Sequence, residues 1–199
     1  MAELIVLNKD ADDVWYLDAD TGERLATVET DFNPHEVALS PDGDTAYVTC
    51  SLGDSLLFLD NETRAVRDRF EHDLFDFPHG LAVRESADEL WLASTYSSQM
   101  FVFDLHTEEL LTTFPTHQDK SHMVTFGPDE ERAYVANIGS DSITVLDADE
   151  RSIVADPPVG EGPEGIGVDP DSGEILVANQ DDGRLSVVDP DALADEKMA

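Results

Sequence analysis

One segment, SHMVTFGPDEERAYVANIGSDSITVLD from Ser121 to Asp147, recurs in varied form along the whole 199-residue chain. Its second half occurs five times with the same length and no gap, closing each time on an aspartate. A lead-in run precedes four of the copies, and another apolar run follows the first four aspartates. Each period therefore contains four short β-type runs separated by turn residues, which is typical of a sheet-based repeat and not of a helical one. The closing aspartates are Asp18, Asp60, Asp104, Asp147 and Asp189.

This period predicts an all-β chain, a β-propeller of about five four-stranded antiparallel blades in a single domain over residues 1–199. The predicted blades span about 4–31, 34–76, 78–118, 121–161 and 163–189, and a polar tail follows at 190–199. The first blade lacks its first strand and the last blade lacks its outer strand, so both end blades are incomplete. Propellers close by completing one blade from both chain ends, which hides sheet edges. We expect a monomeric ring, because its closure requires no second chain, with an open arc closed by a second copy, a homodimer, as the alternative.

The blocks PHEVALSPDGDTAYVTC, from Pro34, and Ser121 to Asp147 resemble the YVTN-type β-propeller repeat. The likeness extends from about Leu4 to Asp189. It implies a family of surface-layer, periplasmic and cytoplasmic binding proteins, with a more distant likeness to lactonases, streptogramin lyases, amine-dehydrogenase heavy chains and copper-enzyme propellers. The resemblance implies a fold and leaves the activity open, because one fold serves many functions.

The chain is strongly acidic, with 11 Lys and Arg against 45 Asp and Glu and a formal net charge of −34. The acidic residues are spread through every repeat. We interpret this as adaptation to a cytoplasm with molar salt, as in halophilic archaea, where repulsion among carboxylates is screened within about 3 Å. A DNA mimic and a cation store are the alternatives. Nucleic-acid binding is not expected, since no basic stripe is present to neutralise phosphates.

The sequence also predicts a cytoplasmic protein that is not bound to a membrane. Cys50 is the single cysteine, so an intrachain disulfide is excluded. The apolar run from Leu4 to Leu7 is too short for the core of a signal peptide. No stretch approaches the roughly 20 apolar residues of a membrane span.

The closing aspartates are predicted to cap turns. Turn chemistry such as Asp-Thr-Gly or Glu-Thr follows four of them, and an aspartate side chain in that place accepts hydrogen bonds from backbone N–H groups further along the turn. The loops rich in Gly, Asp and Ser lack the twelve-residue frame and final glutamate of a calcium loop.

Three histidines, His35, His79 and His122, precede the innermost strands of three successive predicted blades, and Glu164 holds this place in the next blade. Because innermost strands line the channel of a propeller, these side chains are predicted to form a ring that binds a divalent transition metal, zinc or copper. Alternatively, the histidines are structural and satisfy backbone groups between blades. The second-to-third strand loops supply the predicted ligand-binding or outer-shell groups, namely Cys50, Ser94, Asn137 and Asn179.

The sequence is compatible with two functions. The first is a non-enzymatic binding or scaffold protein that takes a small molecule, a metal ion or a protein at one face of the propeller. The second is a metal-dependent hydrolase, lyase or oxidase that uses the ring of His35, His79, His122 and Glu164 to polarise a substrate oxygen or activate a water. No GxGxxG or GxxxxGK[ST] motif occurs in a strand-to-helix context, and the sequence contains no G-x-S-x-G elbow and no CxxC motif.

Overall fold

The computed structural model describes residues 2–194 of the chain, which form 18 β-strands and very little helix. The strands pair antiparallel in five sheets of three or four strands each. The helical elements in these residues are a 3₁₀ turn at Glu85–Ala87 and a short helix α1, Pro190–Ala194. The chain divides into two compact units, Met1–His79 and Gly80–Ala199.

The first unit contains the three-stranded first sheet and the four-stranded second sheet, and neighbours along the chain are neighbours in each sheet. Val14 and Tyr16 of the first sheet pack against Ala46 and Val48 of the second. These residues alternate along their strands, as expected for the two facing sides of stacked sheets. The strands are β1 (Glu3–Asn8), β2 (Asp13–Asp18), β3 (Arg24–Glu29), β4 (Pro34–Leu39), β5 (Thr45–Cys50), β6 (Ser55–Asp60) and β7 (Ala65–Glu71).

The second unit contains the third and fourth sheets of four strands and the fifth sheet of three strands. The boundary between the units falls inside the first strand of the third sheet, so that strand begins two residues before Gly80. The strands are β8 (Pro78–Arg84), β9 (Glu89–Ser94), β10 (Gln99–Asp104), β11 (Leu110–Pro115), β12 (Ser121–Phe126), β13 (Arg132–Asn137), β14 (Ser142–Asp147), β15 (Ser152–Ala155), β16 (Pro163–Val168), β17 (Ile175–Asn179) and β18 (Arg184–Val188).

Two apolar clusters hold the sheets of the second unit together. Trp91 and Met100 of the third sheet pack on Val135 of the fourth, and the Trp91 ring also contacts Phe114 and Phe126 edge to face. On its other side the fourth sheet packs on the fifth. The residues of that second cluster are Tyr134, Ile143, Val145, Ile175, Val177 and Leu193, the last from α1. A central sheet in this unit is therefore apolar on both faces.

The strand pattern predicted from the repeat is confirmed. The strands form five antiparallel sheets, and the first and last sheets have three strands each. The single domain over 1–199 and the ring or arc of blades stay predictions. Helix α1 was not predicted within the tail, and residues 195–199 of that tail lie outside the described part of the chain. Within residues 2–194, neither helical element is long and apolar enough to cross a membrane.

The turn role of the closing aspartates is confirmed. Oδ1 of Asp18 accepts the backbone N–H of Thr21 at 2.7 Å, and Asp60 accepts that of Thr63 at the same distance. Asp104, Asp147 and Asp189 accept backbone N–H groups of their own turns in the same way. These hydrogen bonds stabilise the ionised carboxylates, so they lower the pKa of Asp18, Asp60, Asp104 and Asp147.

Candidate functional site

In the first unit the structure brings His35 and His79 together. Their ring centroids lie 4.3 Å apart and their planes are inclined by 51°. The Phe77 ring stacks on His79 at 5.9 Å with an angle of 13°, and it meets His35 edge to face at the same distance. Three rings from the starts of two inner strands thus form one cluster, which we call the imidazole cluster.

Asn33 fixes the orientation of the His35 ring. Its Oδ1 lies 2.8 Å from His35 Nδ1, while its Nδ2 donates to the carbonyl oxygen of Lys9 at 3.2 Å. Because the amide oxygen can only accept, His35 Nδ1 is the donor in this contact. In a neutral ring the lone pair is then on Nε2, the form in which histidine binds a metal or accepts a proton.

His79 is 5% exposed, and the backbone around it is held in place by hydroxyl groups. Thr49 Oγ1 donates to the carbonyl oxygen of His79 at 2.9 Å, and Ser51 Oγ donates to that of Pro78 at 2.8 Å. These bonds attach the start of β8 to β5 and its loop. The backbone that carries the His79 imidazole is therefore held by a buried polar network.

In the second unit His122 lies near Glu164. Its Nε2 is 4.0 Å from Glu164 Oε1, an ion pair only when the ring is protonated, and its Nδ1 is 3.0 Å from Thr95 Oγ1. Gly80 has to be a glycine here, because a Cβ at that position would lie 2.6 Å from the carbonyl oxygen of His122. The backbone of His122 is thereby packed closely against the inner strand of the third sheet.

The four predicted metal ligands are thus arranged in two pairs, each within its own unit. No group of three or more His, Cys, Asp or Glu side chains suited to a metal ion is found among residues 2–194. The four-ligand ring and a bound zinc or copper ion stay predictions.

Asn137, one of the predicted ligand-binding residues, is fully buried in a chain of polar side chains. Its Oδ1 accepts from Ser121 Oγ at 2.8 Å, and its Nδ2 donates to Thr144 Oγ1 at 3.0 Å and to Ser142 Oγ at 3.3 Å. Thr144 donates onward to Asp156 Oδ1 at 2.7 Å. Every polar atom of the Asn137 amide therefore has a partner, and the chain joins the inner edge of the fourth sheet to its outer edge.

Asn179 occupies the same repeat position in the fifth sheet, but the hydrogen bonding of its amide group is incomplete. Its Nδ2 donates to Ser186 Oγ at 2.9 Å and to the carbonyl oxygen of Arg184 at 3.2 Å. Its Oδ1 is buried and has no hydrogen-bond partner among the described residues. Pro163 pairs with Asn179 where Ser121 pairs with Asn137, and proline offers no hydroxyl.

The two remaining predicted residues, Cys50 and Ser94, are also fully buried. Burial, with a smaller contribution from Asp31, raises the pKa of the Cys50 thiol to about 12. A thiol with such a pKa is protonated at neutral pH and is a poor nucleophile and metal ligand. The ligand-binding role of these residues stays a prediction.

Sequence reasoning did not single out Phe77, Asn33 or Thr95. Phe77 has a positive φ of 61°, a conformation that is strained for a bulky residue. The equivalent positions, two residues before each inner-strand histidine or glutamate, also have positive φ at Asn33, Lys120 and Gly162. The signal available in the sequence was a phenylalanine where the other repeats have residues that tolerate this backbone more easily.

Comparisons with known proteins show likenesses to longer chains. No family model matches the chain. Antigen Lp49 of Leptospira interrogans is 24% identical over 184 residues, which cover 88% of this chain and 40% of the antigen. Hydrazine synthase of Kuenenia stuttgartiensis matches with a TM-score of 0.81 and 21% identity, over 88% of this chain and 51% of that one. A functionally unknown protein from Desulfotomaculum acetoxidans matches with a TM-score of 0.75 and 17% identity, over 94% and 65% of the two chains.

These likenesses and the five antiparallel sheets fit a β-propeller-like fold. The chain spans about two fifths of the curated relative, half of the hydrazine synthase chain and two thirds of the third protein. At identities between 17% and 24% the likeness concerns the fold and not the activity. The YVTN-type repeat and the haloarchaeal origin stay predictions.

Proposed function

We propose that this chain is a non-enzymatic binding protein whose sheets are the blades of a β-propeller, and that its ligand contacts the imidazole cluster of His35, Phe77 and His79. The observation that carries the proposal is the 4.3 Å separation of the two imidazoles beside a phenylalanine held at positive φ. Imidazole nitrogens are ligands that zinc and copper prefer, so two neighbouring imidazoles suit a binding site for such an ion.

The chemistry of the cluster favours a divalent transition metal, or a small molecule carrying one, as the first ligand to test. Two imidazoles supply two of the four ligands that zinc prefers, and the other positions would be filled by solvent or by the bound molecule. Asn33 supports this role because it keeps the hydrogen of a neutral His35 on Nδ1.

The acidic surface suits this function in a salt-rich cytoplasm, which is part of the same proposal. A net charge of −34 attracts cations towards every face of the protein. A selective site must then bind through directed ligands instead of charge alone. Neutral imidazoles provide that kind of selectivity, because they prefer zinc and copper to potassium or magnesium.

The test is isothermal titration of the protein with ZnCl2 and with CuCl2 at constant high KCl, using tag-free wild type, His79→Ala and His117→Ala. His117 is exposed and occupies no equivalent repeat position, so it is the matched control. We expect one equivalent of metal to bind wild type and His117→Ala, and binding to be lost in His79→Ala.

Histidine NMR of the same samples separates the outcomes. A shift confined to the His35 and His79 ring signals on adding metal supports the proposal. Metal binding that leaves these signals unchanged, or the absence of binding by either ion, would remove the imidazole cluster as a metal-binding site. Metal-dependent turnover of ester, lactone or phosphate substrates that is lost in His79→Ala would favour the metal-dependent enzyme instead.

A further inference from the structure

A cavity of about 420 Å³ lies between the fourth and fifth sheets, within the second unit. Its lining combines apolar side chains with four carboxylates and one arginine. The arginine, Arg132, is already paired, because its Nη1 donates to Asp147 Oδ2 at 2.8 Å. The remaining charge of the lining is therefore negative, which favours a cation as the ligand. The four carboxylates belong to Asp129, Glu131, Asp171 and Asp191.

The equivalent place between the third and fourth sheets is occupied by the side chain of Arg84, which is only 7% exposed. Its Nε donates to the carbonyl oxygen of Glu130 at 3.1 Å, and its Nη2 donates to Asp149 Oδ1 at 2.5 Å. Both acceptors lie in turns of the fourth sheet. A guanidinium group from one sheet is thus held by two turns of the next sheet.

The repeat shows what changes at the following pair of sheets. Gly127 of the fourth sheet holds the position of Arg84, so it contributes no side chain. The two residues that accept from Arg84 have their equivalents in Ser172 and Asp191. Gly127, Ser172 and Asp191 all line the cavity. The cavity therefore keeps the positions that hold a guanidinium group but lacks the arginine that would supply one.

Tyr134 is an independent indication of a ligand in this cavity. It lines the cavity and is 3% exposed, and its hydroxyl group has no hydrogen-bond partner among residues 2–194. A Cβ at Gly127 would lie 3.7 Å from the hydroxyl oxygen, so this oxygen lies beside the place of the missing side chain. By contrast Trp91, the equivalent residue of the third sheet, donates its indole N–H to Glu89 at 2.8 Å. Buried polar groups are generally paired, and a ligand in the cavity would supply the partner for Tyr134.

We propose that this cavity binds a small molecule with a guanidinium group, which takes the place held by the Arg84 group at the preceding pair of sheets. The group donates to the Asp191 carboxylate, to the carbonyl oxygen of Ser172 and to the Tyr134 hydroxyl oxygen. A planar guanidinium suits several acceptors at once, because it carries five N–H donors in a fixed arrangement and is less strongly hydrated than an ammonium group.

The rest of the lining suits an alkyl chain attached to the guanidinium group. Apolar side chains line the cavity beside the polar groups, and burying a methylene group against them is favourable. This site lies in the second unit and does not depend on the imidazole cluster of the first. The apolar side chains are Val145, Val154 and Leu193.

The net charge of −34 attracts any cation, so directed binding has to be separated from general attraction. In about 2 M KCl, exposed charges are screened within a few ångströms, whereas partly buried pairs are screened much less. Binding in the cavity is therefore expected to persist in concentrated KCl.

Isothermal titration with agmatine, a guanidinium group on a four-carbon amine, tests the site in about 2 M KCl. The control ligand is 1,4-diaminobutane, which has the same charge and an ammonium group in place of the guanidinium. One equivalent of agmatine is expected to bind, with an affinity at least about tenfold higher than that of 1,4-diaminobutane.

Gly127→Arg is the decisive variant, because it supplies the guanidinium group from the chain itself and is expected to abolish agmatine binding. The backbone tolerates this change, since a Cβ at Gly127 has its nearest contact at 3.4 Å, with Asp129 Oδ1. Gly167→Arg is the matched control. It adds the same charge on β16, outside the cavity, where a Cβ meets no atom within 4 Å, and it is expected to bind agmatine as wild type does.

Tyr134→Phe removes only the hydroxyl group and is expected to weaken agmatine binding by about tenfold. This variant decides the question if Gly127→Arg does not fold, since an unchanged affinity in Tyr134→Phe would then overturn the proposal. The absence of agmatine binding to wild type would also overturn it. Equal affinities for agmatine and 1,4-diaminobutane, or full binding by folded Gly127→Arg, would have the same meaning.

Discussion

Replacing Glu89 by alanine is expected to lower the free energy of unfolding by about 3 kcal/mol, because it breaks a buried ionic cluster. Glu89 is 6% exposed. Its carboxylate accepts from Arg151 Nη2 at 2.5 Å and from Trp91 Nε1 at 2.8 Å, and it lies 3.8 Å from Arg84 Nη1. Alanine would leave the indole N–H without an acceptor and remove a charge beside two arginines.

The expected loss lies at the lower end of the range for a broken buried pair, about 3–5 kcal/mol, because Arg84 keeps other partners. Its Nη2 donates to Asp149 Oδ1 at 2.5 Å and its Nε to the carbonyl oxygen of Glu130 at 3.1 Å. For a chain of this size, 3 kcal/mol corresponds to a fall in Tm of about 6–12 °C. Glu89→Gln keeps an acceptor for Trp91 and is expected to give an intermediate loss.

The repeat supplies a matched control for this experiment. Glu174 occupies the position of Glu89 in the fifth sheet, but it is exposed, and within residues 2–194 its carboxylate accepts only from Ser172 Oγ, at 3.2 Å. Glu174→Ala is expected to change stability by less than about 0.5 kcal/mol. Differential scanning calorimetry at fixed KCl measures both. Equal Tm changes for Glu89→Ala and Glu174→Ala would refute the assignment of stability to the buried cluster.

Three further predictions concern the same sheets. Asn137→Ala is expected to lower the free energy of unfolding in urea by about 2 kcal/mol. Asn179→Ala is expected to lower it by less, because the Asn137 amide has more hydrogen-bond partners than the Asn179 amide. Equal losses for the two variants would contradict this reasoning. Hydrogen bonds from Thr63 lower the pKa of Asp60 in the folded protein. Asp60 therefore contributes to folding stability above its pKa in the unfolded chain, near 3.9, and this contribution is lost as the pH falls through the lower pKa of the folded state. Asp60→Asn is therefore expected to flatten the acid side of a Tm-against-pH curve, and an unchanged acid side would argue against the turn role. Raising KCl from about 0.1 to 2 M is expected to raise Tm, and a constant Tm would remove the salt-adaptation hypothesis.

Much of the fold could be predicted because the relevant signals are local. Turn aspartates such as Asp60 act within three residues of their own position, and strands such as β13 and β14 follow from apolar residues between turns. Helix α1 was missed because a five-residue segment has little periodicity to detect.

The site was less predictable because it depends on contacts between distant residues. The equivalent positions of His35, His79 and His122 were visible, but not the stacking of Phe77 on His79 or the contact of His122 with Thr95. The exposure of Leu185 was equally hidden, since its sequence context matches that of the buried Ile143. A repeat makes equivalent residues look alike, whereas burial depends on which sheet comes next.

The contrast between Ser121 with Asn137 and Pro163 with Asn179 bears on how such proteins are engineered. Consensus design chooses the commonest residue at each repeat position independently. Here proline is commonest at the first position, in three of four repeats, and asparagine at the second, in three of five. An averaged blade would therefore combine the pair that leaves an amide oxygen without a donor, and would repeat that defect in every copy. The two positions should instead be chosen together, as a serine with an asparagine or a proline with a residue that needs no hydrogen-bond donor.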